Sequence, residues 1–169
     1  MAISRSSAII TTACLLLGFP TGNAQAVEAK NATYYCVVEM AGGLFYDENS
    51  KRWRSGTFRT DEKFVLKLKY LRTQVGKDLM NRDEAVQTFN VAIVEGGSNT
   101  DAECRARDWS EVVEVRPNNY IVCNAVLSDY IINLSNNRFL RNYMCGYVDG
   151  VESNKNTPAV SGGTCTKIN

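Results

Sequence analysis

The 169-residue chain contains no histidine. That absence removes Ser-His-Asp and Cys-His nucleophile arrangements, and histidine general-base chemistry with them. It also removes most zinc, copper and non-haem iron sites, which rest on imidazole or on several thiolates. Net charge is lacking as well. Arg5 is the sole charged side chain of the first 26 residues, and the other 143 carry 18 basic and 18 acidic groups. A neutral domain does not suit nucleic acid, whose binders neutralise phosphates with a basic surface, nor does it suit a polybasic membrane anchor. No apolar run reaches the ~20 residues of a membrane-spanning helix. No internal repeat or low-complexity linker is present. No cysteine pair has C-x-x-C spacing, so neither a thioredoxin-type motif nor a zinc knuckle is supported.

What is present begins with a secretory leader. Arg5 supplies a positive start, Ala8 to Phe19 a short apolar run, and Gly18 with Pro20 break it. Ala24-Gln25-Ala26 has the small-x-small form of a signal-peptidase site. Residues 1–26 therefore read as a signal peptide and 27–169 as one domain, secreted or periplasmic, where disulfides persist. Its size is sufficient for a real core. Thr11-Thr12-Ala13-Cys14 is a poor lipidation signal, because the apolar run continues past Cys14 as Leu15-Leu16-Leu17.

Five cysteines remain after the leader: Cys36, Cys104, Cys123, Cys145 and Cys165. Two bridges and one thiol allow fifteen arrangements, and spacing alone does not choose among them. The favoured pairing is Cys104 with Cys123 and Cys36 with Cys165. The first closes a short loop worth roughly 3 kcal/mol in the chain-entropy account. The second ties the start of the domain to its end, where fraying concentrates. Cys145 is left as the free thiol between Tyr143 and Tyr147, read as a small packed side chain rather than a reactive one.

The dominant period is two. Phe64, Leu66, Leu68 and Tyr70 alternate with a lysine-bearing face, and Phe89, Val91 and Ile93 repeat the pattern. Thr33 to Met40 and Thr164 to Ile168 read as further strands. Asp47-Glu48-Asn49-Ser50 reads as a polar turn before Trp53. Trp109, Val113 and Val115 share a face, Arg116-Pro117-Asn118-Asn119 supplies turn chemistry, and Tyr120 to Val126 returns. Residues 109–126 are thus expected to form a β-hairpin. Gly76 to Glu84 has room for one helical turn. Arg138 to Val148 fits a helix face or a strand face, and its aromatic, alanine-poor composition favours strand. The expected fold is all-β, a single disulfide-stabilised antiparallel barrel or sandwich of about seven or eight short strands.

Candidate sites are few. An aromatic cluster, Tyr34, Tyr35, Phe45, Tyr46 and Trp53, surrounds the Gly42-Gly43 bend. Tyr35, Phe45, Tyr46 and Trp53 form the candidate binding face, set against the plainer reading that they fill a core. The polar stretch Asp149 to Gly163 reads as an exposed loop. Calcium there would have only Asp149 and Glu152 as charged ligands, with Lys155 opposing, and the spacing fails the usual acidic loop. Carboxylate pairs for glycoside hydrolysis can be drawn from Glu39, Asp47, Glu111 and Asp129. With 18 acids in 143 residues some pairing is unavoidable. Asn31-Ala32-Thr33 and Asn133-Leu134-Ser135 match the glycosylation sequon.

Tyr34-Tyr35-Cys36, Gly42-Gly43, Trp53, Arg138-Phe139-Leu140, Tyr143, Gly146-Tyr147, Thr157-Pro158 and Gly163-Thr164-Cys165 together resemble a family of small secreted proteins from alphaproteobacteria. The family is richer in aspartate over the stretch matching Asp149 to Asn156. Its shared residues are structural in kind and it has no assigned activity. The resemblance therefore implies location and a compact β-fold, argues against use of the sequons, and carries over no catalytic residue. The expected function is binding of a small ligand, an envelope component or a protein partner, with no metal or cofactor. A histidine-free hydrolase using a carboxylate pair, or a structural envelope protein, are the alternatives.

Overall fold

The computed structural model describes residues 28–169. The expected leader, with Cys14 and the cleavage site before Val27, lies outside the described residues. The rest is all-β. Its strands are β1 (Ala32–Asp47), β2 (Arg52–Thr57), β3 (Lys63–Lys77), β4 (Asp83–Glu95), β5 (Ala102–Cys104), β6 (Val113–Val115), β7 (Tyr120–Ala125), β8 (Ser128–Asn133), β9 (Arg138–Tyr143) and β10 (Ala159–Lys167). They form one antiparallel sheet in the order β5-β4-β3-β1-β10-β9-β8-β7, with β2 also on β1 and β6 also on β4.

Alternation explains which face of each strand is covered. In β3, Phe64, Leu66 and Leu68 are buried while Lys67 and Lys69 face water. In β1, Ala32, Tyr34, Cys36 and Val38 are buried and Tyr35 and Val37 are exposed. Residues from well-separated strands meet on the concave side. The Phe64 ring lies edge-on to Tyr130 of β8 at 5.5 Å and to Phe139 of β9 at 4.9 Å. The sheet thus curls around a single core.

The chain makes two meanders, β1 to β6 and β7 to β10, joined at two seams. The first is the β1–β10 ladder, in which Cys36 stands opposite Cys165 and is disulfide-bonded to it. The second brings β5 to β7. There the isolated Arg105↔Asn124 bridge has reciprocal backbone bonds of 2.9 and 2.7 Å, next to the Cys104–Cys123 disulfide. One bridge is not a ladder, so the sheet is not closed into a barrel. Both disulfides match the favoured pairing, and among the described residues Cys145 is the free cysteine.

Three local expectations are corrected. Residues 109–126 are not a hairpin: β6 pairs with β4, and β7 pairs with β8. Trp109 has φ 65° and is exposed, so it lies on no strand face. The turn at Arg116 to Asn119 does form, closed by the Asn119 N–H on the Arg116 carbonyl at 2.8 Å. Asn119 is buried, however, and donates from its side chain to Ser135 Oγ at 2.7 Å, while the Leu134 N–H reaches the Asn119 carbonyl at 3.0 Å. These bonds aim β7 at β8. Gly76 to Glu84 holds no helical turn; it is the end of the β3–β4 hairpin. There the Asp78 carboxylate accepts the N–H of Met80 and of Arg82, each at 2.8 Å. Arg138–Tyr143 is a strand, as its composition favours, and a 3-10 turn follows at Tyr147–Asp149.

The β1–β10 seam depends on Gly163. A Cβ placed there would sit 1.9 Å from the Val37 carbonyl oxygen, whereas at Gly162 the nearest atom is the flexible tip of Leu140 at 3.2 Å. Gly163→Ala is expected to lose at least about 3 kcal/mol of stability, while Gly162→Ala stays within about 1 kcal/mol. Urea midpoints of the two variants, measured oxidised, check this. Equal losses would contradict it.

Candidate functional site

The candidate binding face is divided by the structure. Tyr35 sits on the outer face of β1, cross-strand from Val65 and Thr166, and Gly42-Gly43 make no bend but lie in register within β1, the ladder irregularity falling at Val38 to Met40 instead. The ladder irregularity between Val38 and Met40 changes the parity of β1 beyond it. The shift leaves Tyr46 off the core face; it is buried instead beneath the loop that carries Glu152 and Asn154, and Phe45, on the opposite face, covers Gly56. Tyr34 is core. The structure does bring Tyr46 and Trp53 together, with ring centroids 5.7 Å apart, and adds a residue outside the expected face: Tyr147, 5.5 Å from Trp53.

Tyr147 belongs to the loop 144–158, which docks on the β1–β2 ribbon. Asn154 holds it there by accepting the Tyr46 N–H at 2.7 Å and donating to the Tyr46 carbonyl at 2.8 Å. The Tyr46 hydroxyl donates to Glu152 at 3.0 Å; burial and that carboxylate push its pKa up. Asp149 accepts the Gly146 N–H at 3.0 Å. The two acids of the calcium reading are thus spent on separate partners. Among the described residues no group of three or more His, Cys, Asp or Glu is placed to hold a metal.

The proposed hydrolytic carboxylates are also scattered. Glu39 accepts from Thr164 on the outer face, Asp47 caps the β1–β2 turn, Glu111 lies by Arg105, and Asp129 pairs with Asn124.

A site that sequence reasoning missed lies at one rim of the curled sheet. A cavity of about 550 Å³ is lined there by Asp61, Glu62, Lys63, Glu95, Val126, Ser128, Arg141, Tyr143 and Thr157. Its centre is Arg141. The inward parity of β9 runs from buried Phe139 to Arg141, opposite Tyr130 on β8 and Ser161 on β10. The guanidinium donates through Nε to Ser161 Oγ at 3.2 Å and pairs with Glu62. Burial opposes its charge, but the Glu62 carboxylate outweighs that and holds its pKa above the usual value.

Below Arg141 the Tyr130 side chain is fully buried, and its hydroxyl has no hydrogen-bond partner of good geometry. Burial raises its pKa, with Arg141 opposing and Glu95 and Glu62 adding to the rise. All three charged neighbours line the cavity, which places the hydroxyl beneath it. A fork-shaped cation flanked by hydroxyls is suited to an acidic group on a small molecule. The available signal was an arginine on the inward parity of a short strand; the ambiguous reading of Arg138 to Val148 concealed it.

The cavity wall carries backbone strain. Val126 and Leu127 form the two-residue β7–β8 turn with φ of 49° and 60°. Such turns favour Asn-Gly, and a β-branched residue at positive φ is an outlier. Both side chains are exposed apolar groups, 51% and 70% accessible, so no core packing explains them.

No family model, curated protein or solved structure matches this chain.

Replacing Val126-Leu127 by Asn-Gly is expected to stabilise the protein by about 1 to 2 kcal/mol. Thermal unfolding checks this; a lower midpoint would show that the turn is held by contacts rather than strained.

Proposed function

We propose that this chain is a binding module outside the cytoplasm, secreted or periplasmic, whose rim cavity takes a small ligand or an exposed group of an envelope component or protein partner. The carrying observation is Arg141, an inward cation set over the buried Tyr130 hydroxyl at the cavity. Glu62, the present partner of Arg141, is half exposed, so a ligand carboxylate or phosphate has a route to replace it. The two disulfides, the leader-like first residues and the resemblance to secreted bacterial proteins support the location. Among the described residues no helix is long and apolar enough to cross a membrane.

A histidine-free hydrolase is the second reading. It is favoured by Glu62 and Glu95 sharing one cavity, and it replaces the dispersed pairs drawn from sequence.

Native mass spectrometry of the protein isolated unreduced from its own host tests the binding reading. The expected species starts at Val27, has one alkylatable thiol at Cys145, and lacks four hydrogens for two disulfides. It carries an added mass that leaves on denaturation, and Arg141→Met loses that mass. A clean apo mass for the native sequence would contradict the ligand reading and favour a structural envelope role.

A further inference from the structure

β2 is an open edge of the sheet. Asn154 occupies both the N–H and the carbonyl of Tyr46, so those groups point away from β2. Backbone directions alternate along an antiparallel ladder. Phe45↔Arg54 is therefore a hydrogen-bonded pair, as are Gly43↔Gly56 and Asp47↔Arg52. The Phe58 N–H on the Ala41 carbonyl at 3.0 Å continues the same phase. It follows that the N–H and C=O groups of Trp53, Ser55 and Thr57 point outward, where β2 has no neighbouring strand among the described residues. The other side of the ribbon is covered: Pro158 takes the Leu44 N–H at 3.0 Å and Asn154 takes Tyr46.

The open edge has one sign of charge. Residues 51–59 contain Lys51, Arg52, Arg54 and Arg59 and no acid. Arg54 meets Asp47 at 3.1 Å and Arg59 reaches Asp61 at 4.0 Å, but Lys51 and Arg52 have no ion-pair partner among the described residues. Strand parity puts Arg52 and Arg54 on one face. Trp53 is on the other, against Tyr46 and Tyr147. Like charge on both edges disfavours pairing with a second copy of this chain. It favours an acidic partner.

We propose that β2 accepts an extended polypeptide segment of alternating acidic and apolar residues as an added strand. Its backbone pairs with Trp53, Ser55 and Thr57, its acidic side chains face Arg52 and Arg54, and its apolar ones lie along Trp53. The surface is separate from the rim cavity and does not depend on the cavity's ligand.

The test titrates a short synthetic peptide of alternating glutamate and valine against the oxidised full protein, read by amide NMR. The Trp53, Ser55 and Thr57 amides are expected to shift and gain exchange protection, and a lysine–valine peptide is expected not to bind. Ser55→Pro removes an N–H that only the added strand uses and leaves the bonds to β1 intact. It is expected to weaken binding about tenfold or more, as is Arg52→Glu. Ser55→Ala keeps the N–H and is expected to bind like the native protein. Absence of binding, equal binding of the lysine peptide, or full binding by a folded Ser55→Pro variant would overturn strand addition; the last outcome leaves charge attraction alone.

Discussion

The β1–β10 ladder is the constraint on which the rest of the structure depends. It pairs residues 34–43 with 159–167 and is the one continuous ladder between the two meanders. Its disulfide spans a sequence separation of 129, against 19 for Cys104–Cys123. In the chain-entropy account the long closure is worth about 5 kcal/mol and the short one about 3. Each seam thus carries its own covalent bond. A domain whose pairing is so non-local faces a large loop-closure cost before its contacts form, and cross-links confined to those two seams address that cost where it arises.

The same seam builds the cavity. Arg141 comes from β9 and Ser161 from β10, both in the second meander, while Glu62 precedes β3 and Glu95 ends β4 in the first. The guanidinium therefore bridges two halves that the β1–β10 ladder holds in register beside it. Gly163, with no Cβ, lets the β1 backbone approach β10. Polar groups gather at the rim because the aromatic interior of Phe64, Tyr130 and Phe139 ends there. The strained Val126-Leu127 turn overlooks the same opening. Strain retained beside a cavity, where an Asn-Gly turn would remove it, is consistent with selection for binding rather than for stability.

Fold class was legible because alternation along β1, β3, β4 and β7 separates a buried from an exposed face whatever the partner strand. The bridges match a preference that rested on a short loop for Cys104–Cys123 and on tying the domain's ends for Cys36–Cys165, not on spacing alone. Partner choice was not legible: periodicity names a face, while β6 pairs with β4 and the buried Asn119, bonded to Ser135 and Leu134, directs β7 to β8. The ladder irregularities at Val38 to Met40 and Tyr70 to Arg72 shift parity without any marker in composition. The first shift put Tyr46 on the face away from the core, where the loop carrying Glu152 and Asn154 buries it. Tyr46 and Trp53 do meet, and Tyr147 was missed because its loop returns from a distant part of the chain. Arg141 escaped notice because one inward arginine is indistinguishable from a surface arginine until the strand's phase is known.

Amide hydrogen exchange of the C36A/C165A variant, with Cys104–Cys123 intact, tests the account most directly. If the first seam positions the cavity, exchange rises together along β10, at Arg141 and Tyr143, and in the first half of β1. The β7–β8 and β3–β4 hairpins, which pair locally, keep their protection. Unchanged protection around Arg141, or a uniform rise over the whole sheet, would contradict the central place given to this seam.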